Sequence, residues 1–300
     1  MGTPHPASAA RREHAAQAQT AAAGFSQVDL LTVLGVLVLL ALLLTPALAR
    51  TRMVDQGFQC RNNLGRLVNA WHMYVEDNSD KIPAAFGIWP PPAPAPSWIT
   101  TSPMSWTGNA TVDGQNAYNW DPGVTIKQSP LWPYCGNTQD IWRCPSDAIY
   151  SCIPTNGPFQ GQSVPRVRSY SMSCWFNDSF GQEFSAGSFT VYKKLADCLR
   201  PGPAMTFVFL HERPDCINDG EFVVSMSGYP GQPSLWRLVD FPTSQHDGAC
   251  GFSFVDGHSE MKRWLDRRTM PPIGQGLALN VSVPNSPDAY WLMDHSTRKP

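Results

Sequence analysis

The longest apolar run of the chain lies near its N-terminus, where residues 30–49 carry no charged side chain. As an α-helix rising about 1.5 Å per residue, a run of this length spans about 30 Å, the thickness of the hydrocarbon core of a bilayer. The pattern predicts a transmembrane helix over residues 30–49. Arg11 and Arg12 precede the run while Arg50 and Arg52 follow it, so the flanking charges do not fix its orientation.

A helical pattern of apolar residues continues beyond this run. The apolar positions mostly recur at steps of three and four, and they are Val54, Phe58, Leu64, Leu67, Val68, Trp71, Tyr74 and Val75. This spacing predicts one apolar stripe on which a following domain packs. We expect a helix over residues 25–80, which ends near Asn78-Ser79-Asp80, ahead of Pro83.

Short segments with strand character follow in the second half of the chain. The candidates are residues 167–174, 204–211, 221–225, 250–255 and 258–263. Asp256-Gly257 predicts a two-residue hairpin turn that pairs Val255 with His258 and Phe252 with Met261. In that register Phe252, Phe254 and Met261 share the core face.

The predicted fold class is α+β: a long N-terminal transmembrane helix packed on an antiparallel sheet, as in pilins, with many loops. We divide the chain into a leader (1–24), the helix (25–80), a domain (81–265) and a C-terminal extension (266–300) for which the pattern predicts no element. Prolines are dense between Pro83 and Pro103, which predicts an extended surface loop there.

Eight cysteines are scattered along the chain without a C-x-x-C pair. An even number of cysteines behind a membrane span favours disulfides formed in an oxidising compartment. Buried free thiols are the alternative, and the sequence does not choose among the pairings. Our first candidate pair is Cys60 on the helix with Cys144 in the segment Arg143-Cys144-Pro145-Ser146-Asp147.

Charge and catalytic motifs exclude several classes of function. The formal net charge is −2 and basic residues form no patch, so we expect no nucleic-acid partner. Neither G-x-S-x-G nor H-E-x-x-H occurs, and an anchored hydrolase using His246 with nearby carboxylates therefore has little support. We expect a protein that is not an enzyme.

The segment before the apolar run resembles the type IV prepilin cleavage and methylation motif. It reads Ala23-Gly24-Phe25-Ser26-Gln27-Val28-Asp29-Leu30-Leu31. The resemblance implies that a prepilin peptidase cuts after Gly24, that Phe25 becomes the methylated N-terminus, and that Asp29 stands where the family usually has Glu. Pro46 falls where pilin-like helices often carry a proline.

Two other interpretations of this segment stay open. Thr45-Pro46-Ala47-Leu48-Ala49 resembles the cleavage site of an ordinary secretory signal peptide, and the run also suits an uncleaved anchor. The prepilin interpretation implies a single-pass inner-membrane protein whose C-terminal domain is periplasmic or extracellular. It also implies other pilin-like subunits as partners through the N-terminal helix, where Asp29 meets the amino terminus of a neighbour.

A second resemblance rests on His246, which stands ten residues before Asp256-Gly257. The spacing resembles that of prepilin-type proteins with a processing-associated H-X9-DG domain. Four further stretches fit that family, and they are Cys60-Arg61-Asn62-Asn63-Leu64, Arg143-Cys144-Pro145-Ser146-Asp147, Arg168-Ser169-Tyr170-Ser171-Met172 and Asp219-Gly220-Glu221-Phe222. The resemblance extends from about Gly24 to Trp264. We interpret His246, Asp256 and Gly257 as structural, with a metal-ligand or catalytic role as the alternative.

Two further features offer ligand chemistry. Asp215, Asp219 and Glu221 supply oxygen atoms at short spacing, which resembles the calcium-binding loop of some type II secretion pseudopilins, but the EF-hand spacing is absent. Calcium is therefore a suggestion, and we expect no other cofactor. Trp89, Trp98 and Trp106 suit either sugar stacking or, in our interpretation, the filling of a small core.

These observations predict a non-enzymatic, pseudopilin-like subunit of a type II secretion or type IV pilus-like assembly at the inner membrane. The alternative is a membrane-tethered protein that binds an extracellular polysaccharide and uses the prepilin route only for export. The two differ in Asp29, because assembly needs its charge and a tether does not.

Overall fold

A computed structural model describes residues 2, 26–86, 96–99, 103–177, 180–274 and 277–300. The chain divides into two compact units, Met1–Leu48 and Ala49–Pro300. The predicted processing residues Gly24 and Phe25 lie outside the described residues, as do Trp89 and most of the proline-rich loop.

Helix α1, Gln27–Asp77, is 51 residues long. Its first part, Gln27–Thr45, has a mean hydropathy of 2.6, and none of it is buried. This part is long and apolar enough to cross a membrane, although a signal sequence has the same length and composition. The prediction of one N-terminal apolar helix is confirmed.

The second unit is α+β. Its described strands are β1 Ser151–Cys152, β2 Val164–Pro165, β3 Tyr170–Ser173, β4 Phe207–His211, β5 Glu221–Phe222, β6 Arg237–Leu238, β7 Ala249–Phe254, β8 Ser259–Arg263 and β9 Val281–Ser282. Three further helices are α2 Ala110–Asp113, α3 Phe180–Glu183 and α4 Pro287–Asp294, and short 3₁₀ turns such as Pro145–Ile149 connect the elements. All five predicted strands are confirmed; four are shorter than predicted, and β7 has the predicted length but begins one residue earlier.

The main sheet has five strands in the order β5-β3-β4-β7-β8. Strands β3 and β5 pair in parallel, whereas the other neighbours pair antiparallel. Two small antiparallel pairs, β1 with β2 and β6 with β9, lie outside this sheet. Strands β3, β4 and β7 are buried along their whole length, as central strands covered on both faces are.

The second half of α1 packs on one face of the main sheet. From Leu64 onward the predicted stripe is buried, and the helix ends at Asp77 as expected. Val54 and Phe58 are 63% and 53% exposed, so the prediction that the stripe begins at Val54 is wrong. At Gly251 the helix comes close enough that a Cβ atom would lie 2.7 Å from Leu64 Cδ1 and 3.3 Å from Cys60 Sγ.

The opposite face of the sheet carries the C-terminal residues for which the sequence pattern predicted no element. Helix α4 begins at the N-cap Ser286, whose hydroxyl accepts from Ala289 N. Trp291 of this helix meets the Phe252 ring edge-on, with ring centres 4.8 Å apart. Leu292 and Met293 are fully buried beside it. Residues of the C-terminal extension thus complete the core of the second unit.

The hairpin of β7 and β8 differs from its predicted register by one residue. Ser253 pairs with Ser259, and Phe252 pairs with Glu260 rather than with Met261. The turn has three residues because Gly257 has a positive φ of 91° and Asp256 does not, whereas a two-residue turn of type I′ needs both. Phe252 therefore faces α4, and Met261 lies opposite Gly251 on the α1 side.

The prediction of disulfides is wrong. All eight cysteines are buried as free thiols, including Cys60 and Cys144. A disulfide needs its two sulfur atoms about 2.05 Å apart with a defined torsion, and no pair of cysteines meets this geometry. The thiols fill the core, and two of them, Cys60 and Cys144, lie beside histidines.

Candidate metal centre

Four side chains from distant parts of the chain converge beneath α1. They are Cys60, Cys144, His211 and His246, and one ligand atom from each lies within 4.8 Å of all the others. Three of the separations are 3.7 Å from Cys60 Sγ to His211 Nδ1, 3.3 Å from Cys144 Sγ to His246 Nε2, and 3.3 Å between His211 Nδ1 and His246 Nε2. We call these four residues the Cys2His2 cluster.

Three of the six separations among these atoms match a tetrahedral zinc site, and the other three are at most 4.8 Å. With about 2.3 Å from zinc to sulfur and about 2.0 Å from zinc to nitrogen, a tetrahedron places its ligand atoms about 3.3–3.8 Å apart. The measured approaches of 3.3 to 3.7 Å fall in this interval. Two thiolates and two imidazoles are the ligand set that selects zinc over calcium and magnesium, which prefer oxygen.

Each ligand is held by a different element of the second unit. Cys60 lies on the sheet-facing side of α1, one turn before Leu64, and His211 is the last residue of β4. Cys144 adopts an extended conformation just before Pro145, and its backbone N–H donates to Ser169 Oγ at 3.0 Å. His246 lies in the turn before β7, which the bond from Gly248 N to Ser244 O closes.

A further contact joins the helix to the Cys144 segment. Asn63 follows Cys60 on α1, and its Nδ2 donates to the carbonyl oxygens of Asp140 and Arg143 at 3.1 and 3.0 Å. These bonds fix the backbone next to Cys144 relative to α1, so the two cysteines keep their spacing without a covalent bond.

Polar groups around the cluster orient its ligands. His211 Nε2 lies 3.3 Å from Asp147 Oδ2, which leaves Nδ1 free to bind a metal, and such carboxylate–histidine pairs are the usual outer partners of zinc ligands. The Tyr170 hydroxyl donates to Cys60 Sγ at 3.6 Å, and Ser146 Oγ lies 3.0 Å from Cys144 Sγ.

The electrostatics of the pocket favour a cation. Burial raises the pKa of the Cys144 thiol to about 12. Burial also acts to lower the pKa of His211, but Cys144 and Asp147 outweigh it and raise that pKa to about 10. Without a metal the pocket therefore retains protons on its ligands, and a zinc ion displaces them and is neutralised by two thiolates.

Of the predicted motif, only His246 belongs to the cluster. Its Nε2 meets Cys144 and His211, while its Nδ1 has no hydrogen-bond partner among the described residues. Asp256 and Gly257 form the hairpin turn, where Asp256 Oδ1 accepts from the backbone N–H of His258 at 3.1 Å. Asp256 and Gly257 thus form a hairpin turn as expected, although it has three residues instead of two, and His246 meets other side chains instead of a backbone group.

The other predicted site residues lie outside the cluster. Both oxygens of Asp215 accept from the Arg213 guanidinium, at 2.5 and 2.7 Å, and Asp219 Oδ1 accepts from Glu221 N at 2.9 Å. None of these three acidic residues joins a described group of metal-binding atoms. Asp29 is exposed, and its Oδ2 accepts from the amide and hydroxyl of Ser26.

The sequence pattern did not reveal His211 as a ligand. Three of the four ligands lie in stretches that carry the family resemblance, but His211 had only the signal of ending a predicted strand. Trp98 is fully buried and stacks on Trp142 at 5.9 Å, which confirms that it fills the core.

Comparison with protein-family models, with curated proteins and with solved structures finds no match to this chain. The cluster is therefore interpreted from its own geometry.

Proposed function

We propose that this chain is a non-enzymatic, pilin-like subunit anchored in the inner membrane, whose outer domain is fixed to its helix by a structural zinc ion. The observation that carries the proposal is the Cys2His2 cluster, because one of its four ligands belongs to the helix that begins with the apolar segment. The others come from the sheet and its loops.

Closure of the site supports a structural role. Four protein ligands fill a tetrahedron, whereas catalytic zinc keeps one position open for water or substrate. The four residues are also buried, with His246 the most exposed at 5%. A zinc ion held there crosslinks α1, β4 and two loops. This crosslink resists a mechanical force that would separate the helix from the domain.

The anchor and the assembly complete the proposal. The exposed apolar part of α1 supports a membrane span, and the motif around Gly24 supports cleavage by a prepilin peptidase. The domain is then periplasmic or extracellular, and other pilin-like subunits pack along the N-terminal helix. Asp29 lies within the first turn of α1, where it reaches the Phe25 amino group of a neighbour.

Zinc content tests the metal part of this proposal. We expect at least one zinc ion per chain when the full-length protein is extracted from membranes and purified without chelator, because the ligand spacing suits zinc better than other available cations. Inductively coupled plasma mass spectrometry measures it. Protein that contains no zinc, and takes up none when refolded with zinc, would remove the structural centre from the proposal.

The mature N-terminus tests the anchor. We expect the chain to begin at methylated Phe25, because Gly24 is the residue that fits the peptidase site before the apolar run. Mass spectrometry of N-terminal peptides from membrane-extracted protein decides this. A chain that begins near Leu48 or Arg50 indicates an ordinary signal peptide and no anchor, whereas a retained Met1 indicates an uncleaved one.

One cleft favours the second candidate function, a tethered protein that binds an acidic saccharide. The cleft has a volume of about 570 Å³ and is lined by Phe189, Arg200, Pro201, Tyr229, Pro230, Arg298 and Lys299. Aromatic rings beside three cations suit the apolar faces and carboxylates of such a sugar. In this case the N-terminal helix serves only as a tether, and subunits do not pair through Asp29.

A further inference from the structure

A second group of metal-binding atoms lies apart from the Cys2His2 cluster and shares no residue with it. It consists of Glu212, Cys216 and Asp240, each offering one ligand atom within 4.8 Å of the other two. Their exposed fractions are 0%, 4% and 7%. Glu212 follows His211 at the end of β4, Cys216 lies in the next turn, and Asp240 precedes the bridge between Glu212 and Pro242.

Glu212 is unusual in this group because its carboxylate is buried without a hydrogen-bond partner among the described residues. Its side chain is fully buried, and neither carboxylate oxygen accepts a hydrogen bond from any residue that the structure describes. The Ser171 hydroxyl and the Cys216 thiol are polar neighbours of this carboxylate, but neither satisfies it. An unsatisfied buried carboxylate is strongly destabilising, so a native fold rarely keeps one without a partner.

Backbone amides contact the other two groups and partly offset burial, which raises the pKa of both Cys216 and Asp240. Phe241 N donates to Cys216 Sγ at 3.2 Å, and Val223 N donates to Asp240 Oδ2 at 2.6 Å. Hydrogen bonds from backbone amides stabilise the ionised form of a thiol or carboxyl. They leave the Asp240 Oδ1 atom facing Cys216 Sγ at 4.0 Å.

The charge of the three ligands suits a divalent cation. The buried guanidinium groups of Arg166 and Arg168 both act on Glu212, but neither donates a described hydrogen bond to it. The Arg168 guanidinium donates to Tyr170 O, Ser171 Oγ and Asp219 O. When ionised, the two carboxylates and the thiolate carry three negative charges in a buried place. A divalent ion bound by all three compensates two of these charges and takes the place of their protons.

We infer that Glu212, Cys216 and Asp240 bind a second zinc ion. The sulfur ligand excludes calcium and magnesium, which take oxygen, and zinc accepts a mixed set of thiolate and carboxylates. Three protein ligands leave a fourth coordination position open, unlike the closed Cys2His2 cluster. The second site does not depend on the proposed function, since no ligand is common to the two sites.

Native mass spectrometry of the full-length protein in detergent tests this inference. After expression with added zinc, the wild type should retain two zinc ions. Glu212→Gln, which preserves the size of the side chain, should retain one, as should Cys60→Ser. The double variant should retain none. Asp288→Asn, which alters another fully buried carboxylate outside both groups, should retain two.

The two sites fail in distinguishable ways. If the wild type holds one zinc ion and Cys60→Ser holds none, the second site is overturned and the first remains. Two zinc ions in Glu212→Gln would also overturn the second site. If Glu212→Gln does not fold, zinc X-ray absorption of the wild type decides the question. A total of three sulfur ligands for two zinc ions, together with carboxylate oxygen ligands, supports the second site. Two sulfur ligands for every zinc ion and no carboxylate oxygen ligand would overturn it.

Discussion

Cys60→Ser should abolish zinc binding at the Cys2His2 cluster and lower the free energy of unfolding of the second unit by about 4 kcal/mol or more. Serine keeps the size of the side chain but does not supply a thiolate to a metal at neutral pH. The three remaining ligands then lose the ion that holds α1 to β4 and the Cys144 and His246 loops. Urea unfolding of the full-length protein in detergent, followed by tryptophan fluorescence, measures the change.

Cys198→Ser is the matched control for this variant. Cys198 is also fully buried and free, but it belongs to neither group of metal-binding atoms. Placing a hydroxyl there should cost about 1–3 kcal/mol without loss of zinc. A chelator should destabilise the wild type and Cys198→Ser more than Cys60→Ser, which keeps only the ligands Glu212, Cys216 and Asp240. Equal effects of chelator on all three proteins would show that Cys60 does not bind the ion.

Local patterns in the sequence were sufficient for the helix and the strands. The stripe from Leu64 to Val75 recurs at helical spacing and is buried, and each predicted strand overlaps a real one. The hairpin register failed by one residue because Asp256 keeps a negative φ, which places Val255 in the turn. Turn geometry of this kind depends on one backbone angle, and the dipeptide Asp-Gly serves both loop lengths.

The metal centre could not be predicted in this way, because its ligands meet through contacts between distant parts of the chain. Zinc sites of small modules keep their ligands in pairs a few residues apart, whereas these four ligands are spread from α1 to the turn before β7. Cys60 and Cys144 were correctly expected to lie near each other. The even number of cysteines and the expected oxidising compartment, however, favoured a disulfide between them. Only the positions of His211 and His246 show that the two sulfurs face imidazoles instead.

Asp29→Ala should leave cleavage and membrane insertion intact and abolish pairing between subunits. Asp29 is the only charged residue between Glu13 and Arg50. If neighbouring helices pack side by side, its carboxylate meets the Phe25 amino group, and removal of one partner leaves the other charge uncompensated in an apolar environment. Crosslinking in vivo through cysteines introduced at Leu31 and Leu34 measures the pairing. Asp29→Glu should crosslink as the wild type does, because it keeps the charge.

Ser26→Ala separates the charge of Asp29 from its local role at the start of α1. The Ser26 hydroxyl donates to Asp29 Oδ2 at 2.7 Å and accepts from Asp29 N at 3.1 Å, so Asp29→Ala also removes a contact that caps the helix. Ser26→Ala loses the hydroxyl contacts but keeps the carboxylate, and it should crosslink normally. If Asp29→Ala crosslinks as well as the wild type, the carboxylate is not an assembly contact. The tethered saccharide-binding protein, with its cleft beside Arg200 and Tyr229, then becomes the better account of this chain.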